Sequence, residues 1–308
     1  MSNAIRYFKA LSDETRLRLT YVLERYELSV NELVSILEMG QSRVSRHLKI
    51  LTEAGLSSRR DGLWVFYSSV KEGEGAAFLK AAMPFLDEDA EMRADVEMAA
   101  RIIEDRALKT RQFFNTIAEH WDTLSREVLG GFDLAGAVCD TMPEGCDTSV
   151  DLGCGTGIVL ERMRGRARQI IGVDGSPRML ELSRRRLAGV EGEPEGVSLR
   201  IGELSHLPLR DCEADFASIN MVLHHLSNPE NALAEIRRVL RSGGLLVVAD
   251  FDRHTQERMR LDYGDLWLGF DEATMARLLH AASFEVVSTT RYPVEQGLAL
   301  NLTLARRL

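Results

Sequence analysis

Residues 150–157 read VDLGCGTG, in which three alternating glycines follow a short apolar run. An apolar run of this kind predicts a strand, and the glycines predict a turn from that strand into a helix. Glycine adopts positive φ readily, and its missing side chain lets a ligand lie against the main chain. The first N–H groups of the following helix are unpaired and attract an anionic or polar group. The stretch therefore predicts a loop that binds a nucleotide-like cofactor.

Strand-like and helix-like segments alternate in the sequence around this loop. The alternation predicts a mainly parallel sheet with right-handed crossovers, and the last two strands, which no helix separates, predict an antiparallel hairpin at its edge. The predicted strands cover residues 149–152, 170–173, 198–201, 216–220, 244–249, 284–288 and 298–305. Asp174 follows the second of them, where an acid is expected to accept hydrogen bonds from ribose hydroxyl groups. Because NAD-binding proteins share these features, they leave the cofactor open.

Five segments extend the pattern beyond the loop. In order, they are VDLGCGTG, IIGVDGSPRML, IGELSHLPL, DFASINMVLHHL and VLRSGGLLVVADF. This series resembles the class I S-adenosylmethionine-dependent methyltransferases that act on small molecules, over about residues 113–308. The resemblance implies a Rossmann-like fold with a mostly parallel seven-stranded sheet. It also implies that the cofactor is S-adenosylmethionine or S-adenosylhomocysteine, and it disfavours NAD.

The resemblance further implies which residues hold the cofactor. Asp151 and the glycine main chain would bind its methionine end, and Asp174 would bind its ribose. Met179, Glu203 and Leu204 would contact its adenine. Glu203 is a mild departure, since the family more often has aspartate at this position. The two aromatic residues that precede the loop would cover the cofactor, although core packing explains them equally well. The full set is Asp151, Gly153, Gly155, Gly157, Asp174, Met179, Glu203, Leu204, Asn220, Phe114 and Trp121.

A catalytic residue is harder to assign than a cofactor contact. Methyl transfer from a sulfonium is an in-line displacement, so positioning supplies much of the rate and a base is needed only for weak nucleophiles. His224, His225 and His254, together with Asp250 and Asp252, lie at predicted strand ends and are the candidates for such a base. For each of them, a structural role or a contact to the cofactor is the simpler alternative. No motif identifies the methyl acceptor.

Residues 41–51, QSRVSRHLKIL, predict a helix with two different faces. Val44, Leu48 and Leu51 recur at spacings of 4 and 3 and are expected to point inward. The opposite face carries donors for phosphates and base edges, as reading of a DNA major groove requires. These candidate DNA-binding residues are Gln41, Ser42, Arg43, Ser45, Arg46 and Lys49. For an isolated helix, a merely solvated charged face would be the usual alternative.

Two β-rich runs around Asp61-Gly62 follow this helix and predict a hairpin. Arg59 and Arg60 would lie at its tip and contact the adjacent DNA backbone or minor groove, which is the role of a wing. Residues 41–60 contain five basic side chains and one acid, Glu53. The order of helix, short turn, basic helix and hairpin therefore favours binding of double-stranded DNA over a solvated face.

Four segments of this region resemble the ArsR/SmtB winged helix-turn-helix repressors. They are ALSDETRLRLTYVL, ELSVNELVSIL, QSRVSRHLKILTEAGL and RRDGLWVFY, within residues 1–70. The resemblance implies a homodimer that reads a pseudo-palindromic operator and leaves it when an effector binds. Many members bind arsenite or a metal through an ELCVC-type motif, whereas residues 27–31 here read ELSVN. The soft thiolate ligands are missing, so the effector is expected to bind elsewhere.

Length and charge divide the chain in the same way as the motifs. Its 308 residues suit two domains, and residues 1–70 carry 10 Lys/Arg against 8 Asp/Glu, whereas the remainder carries 28 against 39. We therefore expect an α/β protein with a mainly α winged helix-turn-helix domain at residues 1–72 and a methyltransferase-like domain at residues 127–308. Residues 73–126 would form a helical connector. Its apolar residues between Met92 and Trp121 predict one long amphipathic helix, or two with a slight break, suited to dimerisation or to covering the cofactor.

Composition predicts the remaining properties. The four cysteines form no CxxC pair and no Cys/His ligand spacing, which predicts reduced structural thiols and no metal site. No apolar run approaches the roughly 20 residues that cross a bilayer, and the N-terminus lacks an apolar signal segment. We therefore expect a cytoplasmic protein with no membrane partner.

These features support two functions. In the first, the protein is a DNA-binding transcriptional regulator, a dimeric repressor, and its methyltransferase-like domain binds S-adenosylmethionine or S-adenosylhomocysteine as the effector. In the second, it is an active S-adenosylmethionine-dependent methyltransferase of a small molecule that carries its own DNA-binding domain. The missing thiolates favour the first, because they leave the fused domain as the effector site. Which ligand acts, and whether it releases or promotes DNA binding, stays open.

Overall fold

The computed structural model describes residues 3–60, 65–188 and 196–308. The chain divides into two compact units, Met1–Leu108 and Lys109–Leu308. Nowhere in the described ranges is a helix both long enough and apolar enough to cross a membrane.

The first unit begins with four helices, α1 (Asn3–Leu11), α2 (Glu14–Leu23), α3 (Val30–Leu37) and α4 (Gln41–Ala54). Polar side chains explain where two of them begin. The Asp13 carboxylate accepts a hydrogen bond from the Arg16 N–H at 3.1 Å, at the start of α2. Ser29 and Glu32 form a capping box at the start of α3, in which each side chain accepts from the other residue's backbone N–H. Both arrangements satisfy N–H groups that have no partner within the helix.

A three-stranded antiparallel sheet completes the fold of this region. Its strands are β1 (Leu28–Ser29), β2 (Ser57–Arg60) and β3 (Phe66–Ser69), in the order β1-β3-β2. Strands β2 and β3 pair from Ser57 with Ser69 to Arg60 with Phe66, so they form the predicted hairpin. The Asp61-Gly62 turn between them lies outside the described residues. Helices α3 and α4 followed by this hairpin confirm the predicted winged helix-turn-helix fold.

The core of the first unit fixes which face of α4 points outward. The predicted apolar stripe, Val44, Leu48 and Leu51, is fully buried, as are Leu19 of α2 and Leu33 of α3. Burying one such side chain stabilises the fold by about 1.5–3 kcal/mol. Rotation of α4 would expose all three side chains of its stripe, so the polar face is held toward solvent.

Helix α5 (Gly73–Ala82), a 3-10 turn and α6 (Ala90–Ile117) follow the hairpin. Two ion pairs hold α6 within the first unit. Arg18 of α2 donates to both carboxylate oxygens of the buried Asp95, at 2.7 and 2.8 Å. Arg106 donates to the capping residue Glu32 at 2.6 Å. Charge-assisted hydrogen bonds of this kind are stronger than neutral ones, so α6 is tied directly to the helix-turn-helix.

Helix α6 is 28 residues long and continues past Leu108 into the second unit. It ends at Ile117, and the 3-10 turn Ala118–His120 separates it from α7 (Trp121–Leu129). The sequence predicted one long amphipathic helix or two with a slight break. The second alternative describes the structure, with the break directly before Trp121.

The second unit contains one sheet in its described part. The strands are β4 (Cys146–Leu152), β5 (Ala167–Asp174), β6 (Val197–Ile201), β7 (Ala214–Asn220), β8 (Leu240–Phe251), β9 (Phe284–Pro293) and β10 (Ala299–Arg307). Their order is β6-β5-β4-β7-β8-β10-β9. Strands β4 to β8 pair in parallel, and β10 pairs antiparallel with both β8 and β9. This confirms the predicted Rossmann-like sheet of seven strands with a hairpin at one edge.

Helices connect these strands and cover the sheet. They are α8 (Leu134–Cys139), α9 (Ile158–Met163), α10 (Pro177–Ala188), α11 (Pro229–Val239), α12 (Arg258–Asp262) and α13 (Glu272–Ala281). Strand β4 has β5 on one side and β7 on the other, so the chain changes direction across the sheet at this point. A crevice forms beyond the carboxyl ends of the strands at such a switch point, and ligands bind there.

Candidate functional site

The glycine loop leaves the carboxyl end of β4 with its main chain in the left-handed region. Gly153, Gly155 and Gly157 have φ of +72°, +51° and +83°. A Cβ atom on Gly153 would lie 2.5 Å from Val222 Cγ2, so no larger residue fits there. A Cβ atom on Gly155 would meet only Trp121 Nε1, at the ordinary contact distance of 3.8 Å. The loop therefore places partly buried glycine main chain against an indole ring.

Asp174 ends the neighbouring strand β5 and is anchored to the loop. One of its carboxylate oxygens, Oδ2, accepts from the Gly155 N–H and the other, Oδ1, from the Ser176 N–H, both at 2.8 Å. Burial raises the pKa of this carboxyl above its ordinary value, although the two N–H donors oppose the shift. Each oxygen can still accept one more hydrogen bond. The predicted contact to ribose hydroxyl groups would use these remaining acceptor positions.

Asp151 is the buried acid inside the glycine motif. Its Oδ1 atom accepts from Ser218 Oγ at 2.6 Å and from Asn220 Nδ2 at 3.0 Å. Burial raises the pKa of Asp151 to about 7 against these two donors. The Asn220 Oδ1 atom is buried and has no hydrogen-bond partner in the described part of the chain. The Asp151 carboxylate and the Asn220 amide oxygen are thus neighbouring hydrogen-bond acceptors. Together they suit a group with several N–H donors, such as the ammonium of a methionine moiety.

The end of α6 and the start of α7 pack over these strands. Ser176 Oγ donates to Asn115 Oδ1 at 2.6 Å, and Thr156 Oγ1 of the glycine loop donates to Asp122 Oδ1 at 2.6 Å. The Phe114 ring lies edge-on to Trp121, with ring centroids 5.4 Å apart. Phe114 and Trp121 were predicted to cover the cofactor, and they lie on this segment. The sequence analysis missed its polar contacts, Asn115, Asp122 and Ser176, because none belongs to a recognisable motif.

The predicted adenine contacts lie along the same edge of the sheet. Met179 is buried at the start of α10, and its N–H donates to Ser176 Oγ at 3.1 Å. The Glu203 carboxylate accepts from the Arg111 guanidinium of α6, and Leu204 is half-buried beside it. The ion pair is partly exposed, so it contributes little to stability by itself. The position of this ion pair matters more than its strength, because it links α6 to Glu203, a residue predicted to contact the cofactor.

A cluster of imidazole and carboxylate groups lies after β7. His224 Nδ1 is 2.6 Å from Asp250 Oδ1, and its Nε2 is 3.6 Å from Asp265 Oδ1. Burial lowers the pKa of His224, but the charges of Asp250 and Asp265 outweigh burial and raise it to about 9. Burial and the neighbouring His224 hold the pKa of His225 well below its ordinary value. Burial raises the pKa of Asp265 to about 6.

A pocket connects this cluster to the covering segment. Its wall includes Trp121, Met221, Tyr263 and all three members of the group His224, His225 and Asp265. Asp265 follows α12, 40 residues after His225 in the chain, so the sequence analysis had no pattern with which to find it.

The other candidate bases lie in different surroundings. His254 accepts from the Gln256 N–H at 3.3 Å, and burial lowers its pKa. Asp252 pairs with Arg291 at 2.8 Å and with the Asn301 amide at 3.2 Å. Neither His254 nor Asp252 is among the described residues that line the pocket. Of the predicted bases, the structure therefore brings together His224, His225 and Asp250.

The second candidate site is the outer face of α4. All six predicted DNA-binding residues of this helix are exposed: Gln41, Ser42, Arg43, Ser45, Arg46 and Lys49. Lys49 lies 3.8 Å from Glu53, a solvated pair of little strength. Arg43 and Arg46 make no ion pair with any residue that the structure describes. Arg59 lies on β2 and is exposed, whereas the side chain of Arg60 lies outside the described residues.

Two protein-family models match the chain. The model described as bacterial regulatory protein, arsR family, matches residues 13–56, which span α2 to α4. The model described as methyltransferase domain matches residues 150–248, from the glycine loop into β8. The two matches therefore fall on the two candidate sites.

Relatives divide in the same way. The arsenic resistance transcriptional regulator ArsR1 of Pseudomonas putida is 52% identical over 62 residues, 20% of this chain and 48% of that protein. A demethylmenaquinone methyltransferase of Desulfitobacterium hafniense is 28% identical over 212 residues, 63% of this chain and 80% of that enzyme. An uncharacterized protein in transposon TN4556 of Streptomyces fradiae is 37% identical over 123 residues, 39% of this chain, and the match spans only 34% of that protein's length.

Solved structures resemble the second unit. A protein in complex with the Haloferax volcanii Trm112 methyltransferase activator superposes with a TM-score of 0.55 at 19% identity, over 64% of this chain and 96% of that one. The [4+2]-cyclase SpnF superposes with a TM-score of 0.55 at 18% identity, over 64% and 94% of the two chains. Likeness at this identity shows the fold alone, and the fold serves more than one reaction.

Fold, motifs and matches agree on the class of protein. The chain combines an arsR-family helix-turn-helix domain at its N-terminus with a class I methyltransferase domain at its C-terminus. It is thus a regulator domain and a methyltransferase domain in one polypeptide, as the sequence resemblance implied.

Proposed function

We propose that the protein is a DNA-binding transcriptional regulator, a homodimeric repressor, whose methyltransferase domain binds S-adenosylmethionine or S-adenosylhomocysteine as the effector. The observation that carries this proposal is the course of α6. One uninterrupted helix contributes to the helix-turn-helix unit with its first turns and to the candidate cofactor site with its last.

The contacts of α6 explain how a ligand would act on DNA binding. Arg106 donates to Glu32 at 2.6 Å, and Glu32 also accepts from the Ser29 N–H at 2.7 Å to cap α3. Five residues further along the same helix, Arg111 donates to Glu203. A ligand that displaces or strengthens the Arg111 contact would therefore bias a helix that also holds the capping residue of α3. Coupling of about 1–3 kcal/mol between two sites suffices for a useful switch.

The residues around the glycine loop suit the two ligands. Asp151 and Asn220 would accept hydrogen bonds from the methionine ammonium, and Asp174 would accept from the ribose hydroxyls. Bound S-adenosylmethionine would supply an electrophilic methyl group at its sulfonium, and the demethylated product lacks that group. Trp121 and Phe114 would exclude water from above Gly155. An effector site in this domain fits the missing thiolate ligands of the first unit.

The outer face of α4 supports the DNA-binding half of the proposal. Helix α4 presents Arg43 and Arg46 to solvent, and the hairpin of β2 and β3 lies beside it in sequence. Phe8 and Phe85 of the same unit are 67% and 88% exposed, and a second copy of the chain would cover such large apolar side chains. Two copies would read two half-sites about one helical turn of DNA apart.

One titration tests the proposal directly. The purified full-length protein selects its operator from random duplexes, and operator affinity is then measured with S-adenosylmethionine, with S-adenosylhomocysteine and with neither. We expect one saturating ligand to change DNA affinity by about 5- to 150-fold, the range of ordinary allosteric coupling. Equal DNA affinity in all three conditions would rule out the sensor function.

A variant of α6 isolates the coupling from the two binding events. Arg111→Ala is expected to bind DNA and ligand separately while the ligand loses most of its effect on DNA affinity. Lys109→Ala is the matched control, since Lys109 lies on the same helix and its side chain is exposed. If Arg111→Ala responds to ligand as strongly as Lys109→Ala, the coupling runs through another element.

Methyl transfer is the second candidate function, and the pocket beside Trp121 favours it. His224 lies there between two carboxylates, in an arrangement that holds an imidazole in one orientation. The relatives named demethylmenaquinone methyltransferase suggest a quinol as the first acceptor to test. Formation of S-adenosylhomocysteine that depends on such a quinol, and that His224→Gln abolishes, would establish enzyme activity. If the turnover with each acceptor equals that of a protein-free control, the sensor function remains as the only proposed function.

A further inference from the structure

A group of polar side chains beside the cofactor site takes no part in the proposed cofactor contacts. His224 and His225 form the end of a 3-10 turn after β7, and Asp265 follows α12. The three residues are only 2%, 5% and 3% exposed. One ligand atom from each of them lies within 4.8 Å of the other two. Buried nitrogen and oxygen atoms normally have a bonding partner, so this group of potential ligand atoms is expected to bind one.

Asp265 is the member of the group that accepts no hydrogen bond. Neither of its carboxylate oxygens has a hydrogen-bond partner in the described part of the protein. The nearest imidazole atoms, His224 Nε2 and His225 Nδ1, are 3.6 and 3.7 Å away, beyond hydrogen-bonding distance. The charge of His224, whose pKa is raised to about 9, offsets part of the cost of burying this carboxylate without a donor. A metal ion among the three side chains would bond to the carboxylate directly.

Both histidines are oriented by groups outside the cluster. His224 Nδ1–H donates to Asp250 Oδ1 at 2.6 Å, which leaves Nε2 facing Asp265. His225 Nδ1 lies 3.3 Å from the Gly264 carbonyl oxygen, and its Nε2 is buried without a partner among the described residues. Carboxylate and carbonyl groups commonly hold metal-binding imidazoles in this way, because they fix the tautomer and the ring orientation.

We propose that His224, His225 and Asp265 bind one divalent first-row metal ion, of which zinc(II) is the probe of choice. Two imidazoles and one carboxylate are the donor set of open sites for zinc(II) and iron(II), in which a further position faces a cavity. Ligand atoms around a tetrahedral ion stand about 3.3–3.6 Å apart, given metal–ligand distances of roughly 2.0–2.2 Å. The separation of His224 Nε2 from Asp265 Oδ1, 3.6 Å, needs only a small contraction. His225 would bind through Nε2, because its Nδ1 carries the proton that faces the Gly264 carbonyl oxygen.

The pocket supplies the open position. Its wall contains all three ligands together with Trp121, Met221 and Tyr263. Its volume of about 20 Å³ is enough for one water molecule, which could complete the coordination. The cluster contains no thiolate, so it differs in kind from the arsenite and metal sites that the ELCVC-type motif builds, and it favours borderline over soft ions.

Metal content of the full-length chain tests the site. The protein is prepared without a histidine tag, stripped with a chelator and dialysed against zinc(II), and bound zinc is counted by mass spectrometry. We expect one zinc(II) per chain, and Asp265→Asn should weaken binding at least about 10-fold, because even outer-shell changes have effects of this size. Asp262→Asn is the matched control, since this exposed carboxylate lies three residues earlier and pairs with Arg258 at 3.6 Å.

A second measurement separates loss of the site from loss of the fold. Zinc(II) should raise the melting temperature of the wild type and of Asp262→Asn, and should leave that of Asp265→Asn unchanged. Cobalt(II) in place of zinc(II) should give visible absorption bands that His225→Ala removes. Stoichiometric zinc(II) binding that Asp265→Asn retains unchanged would overturn the proposal. The proposal would also be wrong if the wild type binds no zinc(II) and Asp265→Asn melts at a higher temperature than the wild type. The cluster would then be a buried group of charged side chains without a metal.

Discussion

The outer face of α4 and the crevice at the ends of β4, β5 and β7 are built in opposite ways. The face comes from one 14-residue helix, and its six predicted DNA contacts are all exposed. The crevice collects Asp151, Asp174 and Asn220 from three strands, and the end of α6 packs over it. A surface for DNA can therefore follow from the periodicity of one helix, whereas an enclosed site requires the whole sheet.

The two regions also differ in how far their charged groups are exposed to solvent. Arg43 and Arg46 are exposed, so their attraction for phosphates is screened by salt. Asp151 and Asp174 are buried, and burial raises the pKa of both carboxyl groups. Ionic strength should consequently control binding at α4, and pH should control binding in the crevice.

The largest effect is expected from removing the cations of α4. Arg43→Ala combined with Arg46→Ala should lower operator affinity by about 100-fold or more, because each such contact contributes roughly 1–3 kcal/mol. The slope of log affinity against log salt should fall by about 2, since each lost phosphate contact removes about 0.9. Filter binding at several salt concentrations measures both. Lys80→Ala, an exposed cation on α5, is the control and should behave as the wild type.

Removing the acid at the end of β5 is expected to have the next largest effect. Asp174→Ala should weaken binding of S-adenosylhomocysteine by about 100-fold, since hydrogen bonds to a charged group contribute about 1.5–3 kcal/mol each. DNA binding without ligand should stay intact. Calorimetry gives the ligand affinity, and Asp140→Ala, an exposed carboxylate paired with Arg166, is the control. Equal losses in the two variants would remove Asp174 from the cofactor site.

A smaller effect, of up to about tenfold per pH unit, is expected from titration of Asp151. The pKa of Asp151 is raised to about 7, and its neighbours are Ser218, Asn220 and Asp174. An ammonium group pairs with the ionised form, so affinity for S-adenosylhomocysteine should rise between pH 6 and about 7 and then level off. Calorimetry across this range measures it. Asp151→Asn should bind weakly with no such rise, and an unchanged pH profile in this variant would assign the titration to another group.

Titration of Asp151 should have the opposite effect on the stability of the ligand-free protein, which is expected to fall as the pH rises. Because the folded pKa lies above the ordinary value of 3.8, the folded state holds the proton more tightly than the unfolded chain does. This contribution to stability is fully present below about pH 4 and is lost as the pH rises through about 7. Denaturant unfolding of wild type and Asp151→Asn at pH 5 and pH 8 measures it.

The smallest effect is expected from the capping box that starts α3. Ser29→Ala should lower the free energy of unfolding by about 1 kcal/mol, the usual cost of losing a helix cap. Denaturant unfolding measures the change. Ser35→Ala is the control, since Ser35 lies on the same helix and donates only to the Asn31 carbonyl oxygen at 3.1 Å. A Ser29→Ala variant as stable as Ser35→Ala would mean that tertiary packing alone holds the start of α3.

Much of the fold followed from local patterns. The predicted stripe of Val44, Leu48 and Leu51 is fully buried. The strand and helix alternation produced the expected sheet with its edge hairpin. These features were predictable because helical and strand periods, caps and turns depend on neighbours within a few residues. The roles of the candidate site residues stay predictions, although the structure places most of them around one crevice.

Contacts between distant segments could not be predicted. Asn115 reaches Ser176 across 61 residues, and Arg111 reaches Glu203 across 92. Asp265 joins two histidines that lie about 40 residues earlier. No period or motif connects such positions, because their proximity depends on how strands order within the sheet and on where α6 ends.

The sequence by itself indicated, through the resemblance of its motifs, that the chain carries an arsR-family helix-turn-helix domain and a class I methyltransferase domain. Such motifs are local, so they can be found without a structure. The sequence also placed the glycine loop at the end of a strand. Only the tertiary structure showed that Arg106, which pairs with Glu32, and Arg111 lie on one uninterrupted helix, α6. It alone also showed that Asp265 is buried beside His224 and His225. The physical reason is that burial and side-chain pairing between remote segments arise when the sheet and its covering helices pack together.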